Sequence, residues 1–328
     1  MLRVCIIGAS GHYRYVLEGL GPRIAVAGIA HGSEGETLHQ LQAHMQGRDI
    51  HAPRFDDWRH MLDTVQPDIV AVNCHFGDHA RISQECLLRG HHVFSEKPLA
   101  TTLDALAELR QTYARSGKQL SAMFGIRGKP WFQAAHAAVQ AGRIGNVRLM
   151  QAQKSYKLGA RPAFFSHREQ SGGLIPWVGS HAIDWLQWFS GASFRSVSAQ
   201  HSRAHNGGNG DLEVSAQCLF EMSDEISASL SIDYLRPANA PSHDDDRIRI
   251  VGTRGILEVR DQQAFLFNDE AASAQTLALP AERAIFASFV DQIRGSAPCM
   301  VRAEEAFAAT QASLLAREAA DSGNKLLF

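Results

Sequence analysis

Roughly the first 120 residues alternate short apolar runs with helix-period segments, and this alternation constrains the fold more than any other feature. Parallel strands need a long crossover between them, and a helix usually supplies it. The pattern is therefore typical of repeated βαβ units and predicts a doubly wound parallel sheet. The predicted strands are residues 4–7, 24–29, 68–72, 92–94 and 118–124.

Two helices of this half have recognisable ends. Residues 78–89 carry apolar side chains at helical spacing and stop at Gly90. Thr101 and Asp104 resemble a capping box, which predicts a second helix that begins there and ends at Gly117.

The second half has a different pattern, because strand-like segments follow one another directly. This order predicts an α+β domain with a large, mostly antiparallel open sheet, in which residues 252–255 form a hairpin turn. A length of 328 residues also suggests two domains, here 1–122 and 123–328, with the closing helices packing back toward the first. The predicted strands are 147–157, 214–221, 227–234, 247–251 and 256–260, and the predicted helices are 131–141, 177–189, 281–294 and 303–320.

Composition narrows the classes of partner. Hydrophobic residues make up 45% and charged residues 20% of the chain, as in ordinary globular proteins. The formal net charge of -2 argues against a nucleic-acid surface or a polybasic membrane anchor, and favours a neutral or mildly anionic small molecule. The five cysteines lack CxxC spacing and are expected to be reduced core thiols. Without a signal-like or membrane-spanning segment, the expected location is the cytoplasm.

A glycine-containing turn, GASGHY at residues 8–13, lies between the first predicted strand and a helix. In a GxGxxG dinucleotide fingerprint the glycines let the pyrophosphate approach backbone N–H groups at a helix N-terminus. Only the first glycine is in register here. A tight βα turn without any ligand is the alternative interpretation. The predicted cofactor contacts are Gly8, Ser10, Gly11, His12 and Tyr13.

The second strand ends without the acidic residue that usually binds the adenosine ribose about 20 residues after the fingerprint. His31 and Ser33 stand at that end and are predicted to face the ribose. Because Ser33 could donate to a 2′-phosphate, the cofactor is expected to be NAD or NADP.

Ser95-Glu96-Lys97-Pro98 follows a predicted strand on the carboxyl side of the sheet, where open α/β sheets bind ligands. Proline disfavours helix at the preceding residue and so holds Lys97 in an extended segment. A lysine there can donate to a substrate hydroxyl or accept its proton. The alternative is a solvated loop lysine.

A predicted helix near residue 177 places Trp177, His181, Asp184 and Trp188 on one stripe. A carboxylate one turn from an imidazole can orient it and keep it basic, so Asp184 is predicted to orient His181. The alternative is a core histidine under an aromatic stripe.

Other polar residues have the mixture of donors and aromatic faces that suits a polyhydroxylated ligand. They are Arg127, Tyr156, Lys157, Arg161 and Arg168. The run His243-Asp244-Asp245-Asp246 has no further metal-ligand spacing around it and is predicted to be a solvated loop or a helix N-cap.

Together these segments resemble the Gfo/Idh/MocA family, named for glucose/fructose oxidoreductase and inositol dehydrogenase, over nearly the whole chain. The resemblance rests on the order and spacing of the N-terminal glycine turn, His79, Glu96-Lys97-Pro98, Arg127, the Gly145 turn, Gly172-Gly173, His181 with Asp184, and the 252–255 turn.

The resemblance implies a nicotinamide-binding Rossmann domain and a second domain whose sheet carries the substrate face and often mediates oligomerisation, here as a homodimer or homotetramer. It implies that Lys97 and His181 are catalytic, while Trp177 stands where the family has a further aspartate. Residues 73–76 replace the family's small residue followed by Thr-Pro-Asn near the nicotinamide. The cofactor contacts implied in this region are Cys74, His75, His79, Glu96 and Lys97.

The predicted function is hydride transfer between a secondary carbinol of a sugar, polyol or glycoside and nicotinamide. The predicted substrate contacts are Arg127, Tyr156, Lys157, Arg161, Trp177 and His181. Two alternatives stay open: a redox-neutral glycoside cleavage that uses bound NAD, and a non-catalytic sugar or dinucleotide sensor.

Overall fold

A computed structural model describes residues 1–328 and divides the chain into two compact units. The first unit contains residues 1–125, 169–172 and 284–310, and the second contains residues 126–168, 173–283 and 311–328. None of the helices has both the length and the apolar composition needed to cross a membrane.

The first unit is built on six parallel strands in the order β3-β2-β1-β4-β5-β6. The predicted doubly wound parallel sheet is therefore confirmed. The sequence pattern missed β3, because a strand of two residues leaves no detectable run. The strands are β1 Leu2–Ile7, β2 Ile24–Ala30, β3 Arg54–Phe55, β4 Ile69–Val72, β5 His92–Ser95 and β6 Leu120–Ala122.

Helices connect these strands. Thr102, not Thr101, caps α5, because its side chain accepts a hydrogen bond of 3.2 Å from the N–H of Ala105. The predicted capping box was therefore wrong by one residue, whereas the predicted end at Gly117, which has φ +63, is confirmed. The helices are α1 Arg14–Glu18, α2 His39–Gln46, α3 Trp58–Val65, α4 His79–Leu88 and α5 Leu103–Ser116.

The core of the first unit includes a helix from the far end of the chain. The helix is Ile285–Ile293, numbered α9 in chain order. Its Phe286 and Phe289 rings lie 5.2 and 5.5 Å from the ring of Phe94 on β5. Because these aromatic side chains are excluded from water, they stabilise one face of the sheet.

The second unit is built on nine strands in the order β14-β13-β12-β11-β7-β10-β9-β8-β15. Only β7 and β10 pair in parallel, so the predicted mostly antiparallel sheet is confirmed. The strands are β7 Val147–Tyr156, β8 Phe194–Ser202, β9 Ser215–Met222, β10 Ser227–Asp233, β11 Asp244–Gly252, β12 Gly255–Arg260, β13 Gln263–Asn268, β14 Gln275–Thr276 and β15 Leu326–Leu327.

The acidic run at the start of β11 was predicted wrongly as a solvated loop or cap. Asp244 and Asp246 pair in register with Tyr156 and Lys154 of β7. The strand tolerates these acids because cations lie beside them: Lys154 Nζ is 2.5 Å from Asp246, and Arg247 Nε is 2.7 Å from Asp245.

Two helices of the second unit, α6 Pro130–Gln140 and α8 Ser180–Ser190, pack against its sheet. The predicted helix from residue 177 is not α-helical at its start, because Ile175–Gly179 forms a π-helical turn. Such turns widen the spacing along a helix and occur frequently at functional sites. The remaining α-helices are the short α7 Arg168–Ser171, which lies mostly in the first unit, and α10 Ala303–Ser322, which has residues in both units.

Candidate active site and cofactor-binding residues

A glycine turn joins β1 to α1. At position 8 both the backbone angle and the lack of space for a side chain require glycine. Gly8 has φ +83, and a Cβ there would lie 2.4 Å from the Cα of Cys74. Gly32, just after β2, is also confined, since its Cβ would lie 2.5 Å from the Cys74 Cβ. Cys74 is therefore part of the floor beneath the turn, and any side chain at Gly8 would disrupt it.

The carboxylate of Glu36 accepts hydrogen bonds from the first two backbone N–H groups of this turn. Glu36 Oε1 accepts hydrogen bonds from the Ala9 N–H at 2.8 Å, the Ser10 N–H at 3.1 Å and the Ser10 hydroxyl at 2.6 Å. Its Oε2 accepts from the N–H groups of Gly32 at 3.0 Å and Ser33 at 3.3 Å. Charge-assisted bonds of this kind are stronger than neutral ones, so Glu36 fastens the end of β2 to the turn.

Glu36 is the candidate site residue that sequence reasoning missed. The strand end itself carries no acid, but Glu36 lies three residues beyond Ser33 and its side chain returns to the strand end. Gly35, with φ +73, provides the turn that allows this return. A glycine followed by an acid shortly after the second strand is the signal that could have found it.

The carboxylate of Glu96 binds the next backbone N–H group of the turn, that of His12. Glu96 accepts from the backbone N–H of His12, contacts its Nδ1 at 2.8 Å, and accepts from the Lys97 N–H at 2.9 Å. A Cβ at Gly11 would lie 2.6 Å from this carboxylate. Burial by itself raises the pKa of Glu96, but His12 and Lys97 outweigh it and hold that pKa at about 2. Glu96 is therefore an anion that links the glycine turn to the lysine segment.

The donors of this turn fit the anionic part of a dinucleotide. Backbone N–H groups that converge on carboxylates are arranged for negative charge, as a diphosphate at a helix N-terminus requires. Asn73 supports the fit: its carbonyl accepts from the Ser10 N–H at 2.7 Å, while both polar atoms of its buried side chain have no partner. Buried polar groups without partners are rare in a complete structure. The residues that would hold the cofactor here are Gly8, Ser10, Gly11, His12, Ser33 and Asn73.

Ser33 and His31 lie beside this turn, with partners of their own. The Ser33 hydroxyl donates to Asp78 at 2.6 Å and accepts from the His75 N–H at 3.1 Å. His31 Nε2 lies 3.1 Å from Arg54. Ser33 therefore brings a second carboxylate, from Asp78, to the place where it was predicted to receive a 2′-phosphate.

His79 connects the two loops at the carboxyl edge of the sheet. Its Nδ1 lies 2.8 Å from the carbonyl of Pro98, and its Nε2 lies 3.1 Å from the carbonyl of Cys74. Burial lowers the pKa of His79. Through these two contacts His79 positions the segment that contains Lys97, which is only 1% exposed.

Tyr13, another predicted contact of the turn, places its hydroxyl 2.7 Å from Nδ1 of His44 on α2. A contact between Tyr13 and the cofactor stays a prediction.

In the second unit, Asp184 forms a buried ion pair with Arg127. Its two carboxylate oxygens accept from Arg127 Nε at 2.8 Å and Nη2 at 2.7 Å, and both side chains are 1% exposed. The Arg127 guanidinium also lies 5.2 Å from the ring centroid of Trp188. The pair ties α8, which carries His181, to the segment before α6. Orientation of His181 by Asp184, and a substrate contact of Arg127, stay predictions.

Aromatic rings surround the segment before His181. Trp177 is 9% exposed and meets Phe165 edge to face at 6.0 Å. The Arg161 guanidinium lies 4.4 Å from the ring centroid of Tyr234 and 5.6 Å from that of Phe165. Burial raises the pKa of Tyr234 to about 12, although Arg161 and Trp177 oppose the shift. Arg161, Trp177 and Tyr234 are thus close neighbours within this unit.

Three other predicted or candidate residues complete this region. Tyr156 lies 5.2 Å from the ring of His243, and Lys157 Nζ donates to the carbonyl of Ala240 at 2.5 Å. Arg168 pairs with Glu213 and, at 2.8 Å, with Asp321.

Six parallel strands with a glycine turn after the first, and ligand-type donors at the carboxyl edge, define a dinucleotide-binding Rossmann protein. Residues 2–124 match the oxidoreductase family with an NAD-binding Rossmann fold, and residues 132–258 match the GFO/IDH/MocA C-terminal domain. The chain therefore belongs to the Gfo/Idh/MocA family of oxidoreductases.

Individual relatives agree with this assignment. A solved structure from Thermotoga maritima, assigned as an oxidoreductase, is 46% identical, covers 100% of both chains and has a TM-score of 0.97. Inositol 2-dehydrogenase 2 of Saccharopolyspora erythraea is 25% identical over 78% of this chain and 71% of its own length. The uncharacterized oxidoreductase YrbE of Bacillus subtilis is 25% identical over 61% of this chain, and the match spans only 57% of that protein.

Proposed function

We propose that this protein transfers a hydride between a secondary alcohol of a sugar or polyol and NAD. The observation that supports it most is Lys97, a buried cation directly after β5 at the carboxyl edge of the NAD-binding sheet. Glu96 links the backbone of Lys97 to the glycine turn, so one carboxylate joins the cofactor-binding and catalytic segments.

In this proposal the Lys97 ammonium donates a hydrogen bond to the substrate hydroxyl oxygen and stabilises the negative charge that develops there as the carbinol becomes a carbonyl. His181 takes up the hydroxyl proton as general base, and the buried pair of Asp184 with Arg127 keeps α8 in place. Bound NAD supplies the acceptor for the hydride that leaves the same carbon. Reduction runs through the same groups in reverse.

A sugar or polyol suits the aromatic surroundings of the second unit. The C–H faces of sugar rings pack well on aromatic rings, and Trp177 stands beside Phe165 and Tyr234. The relative named inositol 2-dehydrogenase 2 supports the same class of substrate.

We also propose NAD rather than NADP as the cofactor. Glu36 places a carboxylate on the N–H groups of Gly32 and Ser33, and Asp78 accepts from the Ser33 hydroxyl. Two carboxylates at this position repel a 2′-phosphate, while carboxylates accept hydrogen bonds from ribose hydroxyls.

The proposal is tested by measuring NAD reduction with a panel of sugars, glycosides and inositols, in the native protein and in Lys97→Met. Methionine keeps the length of the buried side chain but cannot hold a proton. We expect turnover to fall by about 10²- to 10⁴-fold while the affinity for NAD changes little.

Lys118→Met, at the amino end of β6, is the matched control and should retain full turnover. Unchanged turnover in Lys97→Met would remove Lys97 from the mechanism. No NAD reduction by the native protein with any of these compounds would contradict the oxidoreductase assignment itself.

A further inference from the structure

Arg161 differs from Arg127 and Arg168 of the second unit because it has no acidic partner. Arg127 pairs with Asp184 and Arg168 with Glu213. The only hydrogen bond of Arg161 runs from Nη2 to the carbonyl of Lys157 at 3.0 Å. Its Nε is buried and has no partner. A buried donor left without an acceptor is costly, so this guanidinium is incomplete as it stands.

The guanidinium is nevertheless held in a defined place. It lies 4.4 Å from the ring centroid of Tyr234 and 5.6 Å from that of Phe165. Stacking on aromatic faces fixes the plane of an arginine and leaves its edge of N–H donors for a planar acceptor. The Arg161 guanidinium is therefore preorganised for ligand binding.

The charge around Arg161 is positive. Lys157 has a carbonyl, that of Ala240, as its hydrogen-bond acceptor and forms no ion pair. Burial, Arg161 and Lys157 all lower the pKa of His243. Lys154 adds no free charge, because Asp246 lies 2.5 Å from its Nζ. Lys157, Arg161 and His243 are called the Arg161 cluster below.

Two acids lie near the cluster. Glu213 raises the pKa of Tyr234, on which Arg161 stacks, but it is already paired with Arg168. Asp244 follows His243 directly at the start of β11 and is exposed. It offsets one of the two permanent positive charges, of Lys157 and Arg161. The cluster thus suits a ligand group with a single negative charge better than a dianion.

We propose that the Arg161 cluster binds the carboxylate of an acidic sugar, so that the preferred substrates are sugar acids such as uronates. The inference rests on the proposed function, which makes the ligand a sugar. The carboxylate accepts from Nε and a terminal N–H of Arg161 in the bidentate geometry that guanidinium favours. The sugar ring then lies toward Trp177 and Tyr234, the aromatic neighbours of Arg161.

The test is equilibrium binding of D-glucuronate and D-glucose to the full chain with NAD present, measured by calorimetry. These two sugars differ in one group, a carboxylate against a hydroxymethyl. We expect glucuronate to bind about tenfold to a hundredfold more tightly, the range of one charge-assisted pair. Equal binding of the two sugars, or no measurable binding of glucuronate, overturns the proposal.

Two variants test whether Arg161 is the residue that causes the preference for glucuronate. Arg161→Met keeps an apolar chain on Tyr234 and should abolish the preference for glucuronate while glucose binding changes little. Arg203→Met removes the same charge from an exposed arginine that pairs with Asp211, and should keep the preference. A preference that survives in Arg161→Met overturns the assignment.

D-glucose 6-phosphate is the third probe, and tighter binding of this dianion than of glucuronate would overturn the choice of a carboxylate. Because binding is measured without hydride transfer, the two proposals can fail separately. Glucuronate binding through Arg161 with no NAD reduction by any sugar would contradict the oxidoreductase assignment alone.

Discussion

The glycine turn of the first unit and the Arg161 cluster of the second both present donors to anions, but they differ in what already occupies those donors. Around the turn, Glu36 and Glu96 accept from six backbone N–H groups, those of Ala9, Ser10, His12, Gly32, Ser33 and Lys97. In the cluster, Arg161 Nε has no acceptor.

This difference shows two ways of preparing a ligand site. A turn whose backbone donors are filled by its own carboxylates needs no ligand to satisfy those donors, so the ligand must share or replace these contacts and its charge is selected by repulsion. A cluster with an unsatisfied cation gains a missing partner when the ligand binds, so its charge is selected by attraction. Under the two proposals, the first arrangement excludes the 2′-phosphate of NADP, and the second favours a carboxylate.

The largest expected effect is on stability. It tests whether Asp184, which is paired with Arg127, stabilises the fold, whereas Arg161 has no acid to pair with. Asp184→Asn removes the carboxylate that holds both N–H groups of buried Arg127. We expect the free energy of unfolding to fall by about 3–5 kcal/mol, measured by urea denaturation. Asp211→Asn, in an exposed pair, should change it by less than about 1 kcal/mol. Similar values for the two variants would refute this structural role.

The next effect tests the charge of Glu96 in the first unit. Its pKa of about 2 in the folded chain lies below the ordinary value of 4.5, so ionised Glu96 stabilises the fold above pH 4.5. That stability is lost as the pH falls from about 4.5 to about 2, and amounts to roughly 3 kcal/mol. Glu96→Gln should therefore lower stability at neutral pH and flatten its dependence on acid.

Denaturation curves recorded from neutral pH down to about pH 2 measure this slope. Glu108→Gln, on the exposed side of α5, is the control and should keep the native slope. An unchanged slope in Glu96→Gln would mean that Glu96 is not held as an anion by His12 and Lys97.

The smallest expected effect is on the preference for NAD over NADP, which we attribute to repulsion between Glu36 and the 2′-phosphate of NADP. Glu36→Gln removes one negative charge while it keeps the shape of the side chain. We expect the ratio of NAD to NADP affinity, measured by calorimetry, to fall by about tenfold, since one charge-assisted contact is lost and one repulsion disappears. Glu34→Gln, an exposed neighbour in the same loop, should leave the ratio unchanged. The proposal fails if native protein binds both cofactors equally well.

The local sequence pattern was enough to predict most of the fold. The apolar runs of β1, β2, β4 and β5 are buried on both faces, so composition alone identified them as strands of a parallel sheet. The errors came where a distant partner decides the structure. Asp244 and Asp246 look solvated in sequence, yet they join β11 because β7 supplies the pairing strand and the Lys154 cation.

The same distinction applies to the candidate site. Gly8, Glu96 and Lys97 were identified because turns and strand ends have local signatures. Glu36 was missed because its role depends on a loop that folds back onto two separate strands. The ion pair of Asp184 with Arg127 was also missed, because these residues are far apart in sequence, while orientation of His181 by Asp184 stays a prediction.

The sequence by itself determined the two-part architecture, the parallel sheet and the positions of the glycine turn and the lysine segment, because periodicity and turn chemistry act over a few residues. Only the tertiary structure decided which donors are occupied and which are not. Glu36 reaches Ala9 across 27 positions, and Arg127 reaches Asp184 across 57. Electrostatic pairing depends on distance in space, so whether Arg161 is left without an acid could be known only after the chain was folded.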